Sequence, residues 1–172
     1  MGSTIYSKYR LYALLMMSIP LAVGHEAAMR YYFGNASELA HAATDNDINK
    51  INKCLKYGAD VNGYRASGWY NGVGNTPLIE AISMSSSVET IQYLIKMGAS
   101  VNQIGGYNYT PAHAAARRGN MGIIQVLADS GADFHISDRA NKVSAFDVAM
   151  QCGHPEAADI IKQILSKREK QQ

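Results

Sequence analysis

The side chains in this chain that could most readily do chemistry are its five histidines and two cysteines. Histidine and cysteine are the usual ligands of zinc, and a histidine beside an activated hydroxyl or thiol can take part in nucleophilic catalysis. The histidines do not fall at ligand spacing, and the sequence has no paired-cysteine motif, glycine-rich phosphate loop or serine elbow. His113 and Asp147 each lie near a predicted helix start, but no activated nucleophile accompanies them. The sequence therefore predicts no catalytic residue, no metal and no cofactor.

The helices that would position these side chains follow from two phrases that recur along the chain. One phrase begins with Ser or Thr and returns every 34 residues, at Thr76, Thr110 and Ser144. The other begins with Gly-Ala, at Gly58, Gly98 and Gly131. A period of this length predicts a stack of supersecondary units, each packed on its neighbours, rather than a globule with one central core. Such stacks typically present a surface to a partner and seldom perform chemistry.

Each unit is predicted to contain two helices. In the third unit, Thr110 is suited to cap a helix, and Pro111 to occupy its first position, where no amide donor is needed. That helix is expected to end at Gly119, because glycine accepts the left-handed conformation that closes many helices. The second helix is expected to end at Gly131, and its apolar face consists of Ile123, Ile124, Val126 and Leu127.

A degenerate copy of the pattern precedes these units. Ser37 stands 21 residues before Gly58, the same spacing that separates Thr110 from Gly131. The sequence therefore predicts four helix pairs in a repeat domain over residues 36–168, with units at 36–65, 73–103, 107–137 and 141–168.

The phrases Thr-Pro-x-His, at Thr110–His113, and Gly-Ala-Asp-Val-Asn, at Gly58–Asn62, resemble those of the ankyrin repeat. The resemblance covers nearly all of the chain beyond residue 36, although Ile79 replaces the motif histidine in unit two and Ser144-Ala145 replaces Thr-Pro in unit four. It implies an all-α solenoid of stacked helix-turn-helix pairs with projecting β-turn fingers. It also implies that the fingers and the inner helices bind a protein, and that His113 bonds the backbone of the neighbouring turn.

The two cysteines are not expected to form a disulfide with each other. Cys54 holds the place that Leu94 and Leu127 hold in the next two units, so it should be buried in the core. Cys152 lies three units away, and stacked layers about 9–10 Å thick would hold the two sulfurs too far apart. Cys152 is the thiol expected at the surface, where an intermolecular role is the weaker alternative.

The amino terminus is typical of a secretory signal peptide. Lys8 and Arg10 precede an uncharged apolar run over residues 11–23, and small residues follow at 22 and 24. The run would span only about 20 Å as a helix, so an N-terminal membrane anchor is the weaker alternative. We expect a signal peptide at residues 1–24, a lead-in at 25–35, a polar tail at 169–172 and a periplasmic or secreted protein. Cleavage would leave 16 − 2 = 14 basic residues against 14 acidic ones, which argues against nucleic acid as the partner.

One connection breaks the period and indicates where a partner would bind. It takes 18 residues from Gly58 to Thr76, against 12 from Gly98 to Thr110, and it contains the only tryptophan. Tyr, Trp and Arg are the side chains that most often anchor protein interfaces. The candidate partner-binding residues are therefore Tyr64, Arg65, Trp69, Tyr70, Ile104, Tyr107, Tyr109, Arg117 and Arg118. The alternative for Trp69 is that it folds back as a lid over units one and two.

Two smaller departures are interpreted as structural. The run Ser85-Ser86-Ser87 lengthens unit two by one residue and is interpreted as a turn. The basic residues of the tail, Lys167, Arg168 and Lys170, are interpreted as a solvated helix end.

These observations favour an exported, monomeric, non-catalytic module that binds a protein, such as an adaptor, inhibitor or immunity protein, without nucleic acid and without a membrane after cleavage. Two alternatives remain open. One is an accessory or stress-protection factor of an exported redox enzyme, acting through Cys152, and the other is an effector that acts on host proteins.

Overall fold

The computed structural model describes residues 34–65, 74–106, 109–137 and 143–170, together with Met29. Eight helices occupy the four longer ranges, and no strand occurs in them. In chain order they are α1 (Ala36–Thr44), α2 (Ile48–Lys56), α3 (Pro77–Ser83), α4 (Val88–Lys96), α5 (Pro111–Arg118), α6 (Met121–Asp129), α7 (Ala145–Gln151) and α8 (Pro155–Glu169). They form four helix pairs, each joined by a short turn, which confirms the all-α class expected from the sequence.

Caps define where the first helix of each pair begins. The hydroxyls of Thr76, Thr110 and Ser144 each accept a hydrogen bond from the backbone amide three residues later. Such a cap satisfies one of the amides that a helix start leaves without an internal partner. In the first pair the cap is Asn35, which lies two residues before the Ser37 that aligns with Thr110 and accepts from Glu38 N at 2.8 Å. The degenerate first copy therefore begins its helix earlier than its alignment suggests.

The pairs stack into two rows. The first helices, called here the inner helices, contact one another in the order α1, α3, α5 and α7. The second helices, the outer helices, continue the stack through contacts of α4 with α6 and of α6 with α8. Alanines of α5 are buried on both sides, because a methyl group lets neighbouring helix axes approach closely. The outer helices contribute Cys54, Leu94 and Leu127, all fully buried, which confirms the predicted equivalence of these positions.

The turn inside each pair requires a residue with positive φ. This residue is Asn46, Ser85, Gly119 and Gly153 in units one to four, with φ between 57° and 78°. Gly119 is also confined sterically, because a Cβ there would lie 2.5 Å from the ring of His154. Units three and four thus follow the sequence expectation of glycine, whereas units one and two place Asn and Ser in a conformation that costs L-residues energy.

The Ser85–Ser87 turn also joins two units. Ser86 is buried, and its hydroxyl donates to the backbone oxygen of Ala43 at 3.0 Å. The amide of Ser87 donates to Oδ1 of Asn46 at 2.7 Å. The extra residue in unit two therefore fastens its turn to the turn of unit one, and the interpretation as a turn alone was incomplete.

Asparagines at the finger ends of the first two units bind the unit that follows. Asn62 donates to the oxygen of Gly98 at 3.0 Å and accepts from the amide of Ser100 at 2.7 Å. Asn102 repeats this pattern one unit later, donating to Gly131 O at 3.2 Å and accepting from Asp133 N at 2.7 Å. The recurring Gly-Ala-x-x-Asn phrase is thus a connector between units.

The last unit ends differently from the others. It has no second glycine, and α8 runs for 15 residues where each of the other outer helices has 9. Near its end, Arg168 donates to the oxygens of Ala128 and Ala132 at 2.7 and 2.6 Å. These carbonyls lie at and just after the carboxyl end of α6, so Arg168 donates hydrogen bonds to the end of the neighbouring outer helix. The interpretation of Arg168 as part of a solvated helix end was wrong.

The turns inside units one and two give a matched test of backbone strain. Ser85→Gly should stabilise the protein by up to about 1 kcal/mol, because glycine relieves the positive φ and no hydrogen bond of the Ser85 side chain is present among the described residues. Asn46→Gly should not stabilise it, because that change removes the acceptor of the Ser87 amide. Thermal unfolding of both variants checks this; equal stabilisation by the two would contradict it.

Candidate functional site

Six of the nine predicted partner-binding residues lie within the described part of the chain. They are Tyr64, Arg65, Ile104, Tyr109, Arg117 and Arg118. The other three, Trp69, Tyr70 and Tyr107, lie outside the described residues. The six are distributed over the base of finger 1 (the α2–α3 connection, residues 57–76), finger 2 (the α4–α5 connection, residues 97–110) and the last turn of α5.

Hydrogen bonds join the bases of the two fingers. The hydroxyl of Tyr64 donates to the backbone oxygen of Ile104 at 3.1 Å, although the Tyr64 side chain stays 46% exposed. The amide of Gly106 donates to Gly74 O at 3.2 Å, and that of Gly105 to Tyr109 O at 2.8 Å. A Cβ at Gly105 would lie 2.8 Å from Asn75 Oδ1 and from Cδ1 of Ile79, so a larger residue would have to displace the ends of these side chains where finger 2 lies against unit two. Tyr64, Ile104 and Tyr109 therefore lie on adjoining segments.

Arg65 crosses from finger 1 to two inner helices. Its Nη1 lies 3.2 Å from Oε1 of Glu80 in α3, and its Nη2 lies 3.2 Å from Nε2 of His41 in α1. Because a guanidinium group can only donate, Nε2 of His41 accepts. Glu38 of α1 pairs with a different cation, Lys50 of α2, at 2.9 Å. Arg65 thus links units one and two through its charged guanidinium group. The position of Arg65 in the sequence could not show this contact.

Tyr109 lies two residues before α5, and its ring contacts two side chains of that helix, those of His113 and Arg117. The rings of Tyr109 and His113 have centroids 5.2 Å apart, and Cζ of Arg117 lies 5.7 Å from the Tyr109 ring centroid. This is a cation–π arrangement with the guanidinium over an aromatic ring. His113 is fully buried, whereas Tyr109 is half-buried and Arg117 is exposed.

His113 has a structural role. Its Nδ1 lies 3.2 Å from the amide of Thr110, which must donate, so Nε2 carries the proton and donates to Val143 O at 3.0 Å. Val143 immediately precedes the cap of α7. His113 therefore fixes the start of its own helix and holds the next unit, as the sequence resemblance implied.

The two adjacent arginines at the end of α5 have different surroundings. Nη2 of Arg118 donates to the backbone oxygen of Ser83, the last residue of α3. Arg117 lies over Tyr109, and no carboxylate of the described residues pairs with it. The sequence predicted both arginines as partner-binding residues. In the structure Arg118 connects two units, whereas the guanidinium group of Arg117 remains available.

Comparison with known proteins identifies the family. The family model for ankyrin repeats, in three copies, matches residues 23–138, which is more than half of the chain. The chain belongs to the ankyrin repeat family. An ankyrin repeat protein of Acanthamoeba polyphaga mimivirus is 32% identical over 108 residues, covering 62% of this chain and 64% of the relative.

Two human relatives are similar over a part of their length. The Arf-GAP with coiled-coil, ANK repeat and PH domain-containing protein 2 is 34% identical over 87 residues, 49% of this chain and 10% of that protein. The ankyrin repeat and SOCS box protein 11 is 35% identical over 88 residues, 51% of this chain and 26% of that protein. The chain thus spans less than two thirds of the length of these relatives. Ankyrin repeats indicate a protein–protein interaction module.

Two kinds of feature are absent from the described residues. No group of three or more of their histidines, cysteines or acids could hold a metal ion, and none of their helices is long and apolar enough to cross a bilayer.

Asp147 accepts hydrogen bonds from the hydroxyl of Ser144 at 2.6 Å and from its amide at 2.9 Å, and these bonds lower the pKa of its carboxyl group. The same bonds stabilise the ionised carboxylate, which is the acceptor that the capping box needs.

The cysteines are free and differ in exposure. Cys54 is buried in α2, where desolvation, with a smaller effect of the Glu38 charge, raises the pKa of its thiol to about 11. Cys152, the last residue before Gly153, is exposed. At neutral pH, Cys54 therefore has almost no thiolate with which to react.

Thiol labelling should separate the two cysteines. At pH 7.5 a reagent such as iodoacetamide should modify Cys152 in the folded protein and reach Cys54 only after denaturation, because Cys54 is both inaccessible and protonated. Mass spectrometry of labelled peptides measures this. Native labelling of Cys54 at the rate of Cys152 would show that α2 opens readily.

The arginines should separate by their effect on stability. Arg118→Ala and Arg65→Ala should each lower the free energy of unfolding by about 1 kcal/mol, because each removes a charged hydrogen bond between units. Arg117→Ala should change it by less than about 0.5 kcal/mol, since that side chain is exposed and contacts a ring of its own unit. Denaturant unfolding provides the measurement, and equal losses for Arg117 and Arg118 would contradict the assignment.

Proposed function

We propose that this protein is a non-catalytic module that binds a protein partner through a surface made by fingers 1 and 2 and α5. The observation that supports it is that four exposed or half-buried residues lie on segments joined by contacts. The Tyr64 hydroxyl bonds the backbone oxygen of Ile104, the amide of Gly105 bonds the backbone oxygen of Tyr109, and the Tyr109 ring contacts Arg117. We call Tyr64, Ile104, Tyr109 and Arg117 the candidate surface.

The composition of the candidate surface favours binding. Tyrosine and arginine are enriched among the residues that dominate binding energy, and tyrosine provides a large contact area with few rotatable bonds. Tyr64 lies at the base of finger 1 and Ile104 in finger 2, so any contact made by Trp69, Tyr70 or Tyr107 would extend the same surface. Their part in binding, like that of Arg65 and Arg118, is a proposal from the sequence.

The proposed context is export. We propose that residues 1–24 act as a signal peptide and residues 25–35 as a lead-in, that the repeat domain covers 36–168, and that the protein acts as a monomer in the periplasm or outside the cell. The apolar run at 11–23 behind Lys8 and Arg10 supports this. In such a compartment a binding module would serve as an adaptor, an inhibitor or an immunity protein of another exported protein.

Partner capture with surface variants tests the proposal. The purified protein should capture a protein at fixed stoichiometry, and Tyr64→Ala or Arg117→Ala should weaken that complex at least about tenfold, the loss expected when an interface anchor is removed. Gln92→Ala, on the exposed side of outer helix α4, is the matched control and should bind as the wild type does. Equal binding by all variants would place the interface on another face.

Finger 1 requires its own test. If Trp69 contacts the partner, Trp69→Ala should leave the melting temperature nearly unchanged while it weakens the complex by about 2 kcal/mol. If Trp69 instead covers units one and two, the same change should lower the melting temperature and leave the affinity of the folded molecules unaltered. Calorimetric unfolding and titration on the same sample distinguish the two.

A further inference from the structure

The acidic side chains of the inner helices are already occupied within the protein. These helices carry three carboxylates, at Glu38, Glu80 and Asp147. Glu38 pairs with Lys50 at 2.9 Å, Glu80 with Arg65 at 3.2 Å, and Asp147 accepts from the Ser144 hydroxyl at 2.6 Å. Two of the three carboxylates are thus neutralised by a cation, whereas Asp147, in α7, bonds uncharged groups and keeps its charge.

The positive side chains of the same helices are not balanced in this way. The lysines and arginines of the inner helices are Arg117 and Arg118, both in α5. Arg118 donates to the Ser83 carbonyl, an uncharged acceptor, and Arg117 lies over the Tyr109 ring. A ring attracts a cation but leaves the N–H groups at the edge of the guanidinium plane able to donate. The inner helices thus carry two arginine charges in α5 against one unbalanced carboxylate in α7, and the charge at the end of α5 is positive.

We propose that the candidate surface recognises an acidic segment of its protein partner, in which an Asp or Glu pairs with Arg117 and a neighbouring apolar side chain packs against Tyr109. The inference rests on the proposed function, since it specifies the partner of that same surface. Arginine holds a carboxylate through two parallel hydrogen bonds, and the ring beneath restricts its motion, so the pair is partly preorganised. The half-buried Tyr109 supplies apolar area beside the charge.

The small number of available cations on the inner helices favours a peptide over a polyanion. A nucleic acid would be held by many cations along one face, whereas here Arg117 is the cation that the inner helices leave available. A single acidic residue beside an apolar one matches one guanidinium that lies over one tyrosine ring. The expected ligand is thus a short acidic-apolar peptide segment.

Selection from a phage-displayed library of random 12-residue peptides tests this without knowledge of the partner. The full chain is immobilised, and the enriched sequences should carry Asp or Glu at one position beside an apolar residue. Arg117→Glu should reverse the preference, enriching Lys or Arg at that position. Lys96→Glu makes the same change of charge on outer helix α4, where Lys96 is exposed, and should leave the acidic preference intact.

Binding of one enriched peptide, measured by fluorescence anisotropy, gives the magnitude. Arg117→Glu should weaken it at least about tenfold and Lys96→Glu less than about twofold, and raising the salt concentration should weaken the wild-type complex, since an exposed ion pair is screened. If Arg117→Glu does not fold, Arg117→Gln takes its place, with the melting temperature as the check. Enriched peptides without acidic residues would overturn the inference.

The two proposals fail in different ways. Peptides that lack acids but lose affinity with Tyr64→Ala would overturn the acidic partner and leave the candidate surface as the binding site. Peptides whose affinity changes with neither Tyr64→Ala nor Arg117→Glu would overturn both. The absence of any enriched peptide would count against the acidic segment as well, because a preorganised arginine site should retain such peptides from a random library.

Discussion

Backbone groups that a single helix pair cannot satisfy are the constraint on which this stack depends. A turn or finger contains amides and carbonyls whose hydrogen-bonding capacity is not filled within their own unit, and burying such groups unfilled is costly. Side chains of the adjacent unit satisfy them instead: Asn62, Ser86, Asn102, His113, Arg118 and Arg168 each bond a backbone group of a neighbouring unit. Within the described ranges, no buried side-chain nitrogen or oxygen lacks a partner. Stacking is therefore specified by polar contacts at both ends of the helices, and the apolar core between them adds stability.

That use of polar side chains limits what remains for a partner. Arg65 and Arg118 have the residue type expected of an interface anchor, yet each already connects two units. A partner that engaged them would first have to break a contact that holds the stack together. Arg117, which contacts a ring of its own unit, can be engaged without that loss. In a repeat protein, then, binding residues are those that the repeat contacts do not consume, and residue type alone does not identify them.

Much of the fold could be predicted because its causes are local. The caps at Thr76, Thr110 and Ser144 and the glycines at 58, 98 and 131 are read directly from the period, and the buried positions of Cys54, Leu94 and Leu127 follow from it. The sequence could not predict the direction in which a long side chain points when it can reach more than one neighbour. Adjacent residues on a helix point about 100° apart, so Arg117 and Arg118 face in different directions, and the packing of α5 brings Arg118 to α3. Sequence spacing also could not show that Arg168 would reach back to α6.

The irregularities of unit two connect structure to the proposed surface. Its turn contains the inserted Ser86, which bonds Ala43, and at the opposite end Arg65 bonds Glu80 and approaches His41. Units one and two are thus joined by polar contacts at both ends of their helices. The base of finger 1 is further closed by the Arg65 amide, which donates to Asn75 O at 2.9 Å. Because these contacts are made by residues on either side of 66–73, variants at Trp69 and Tyr70 can test the proposed binding role without removing them.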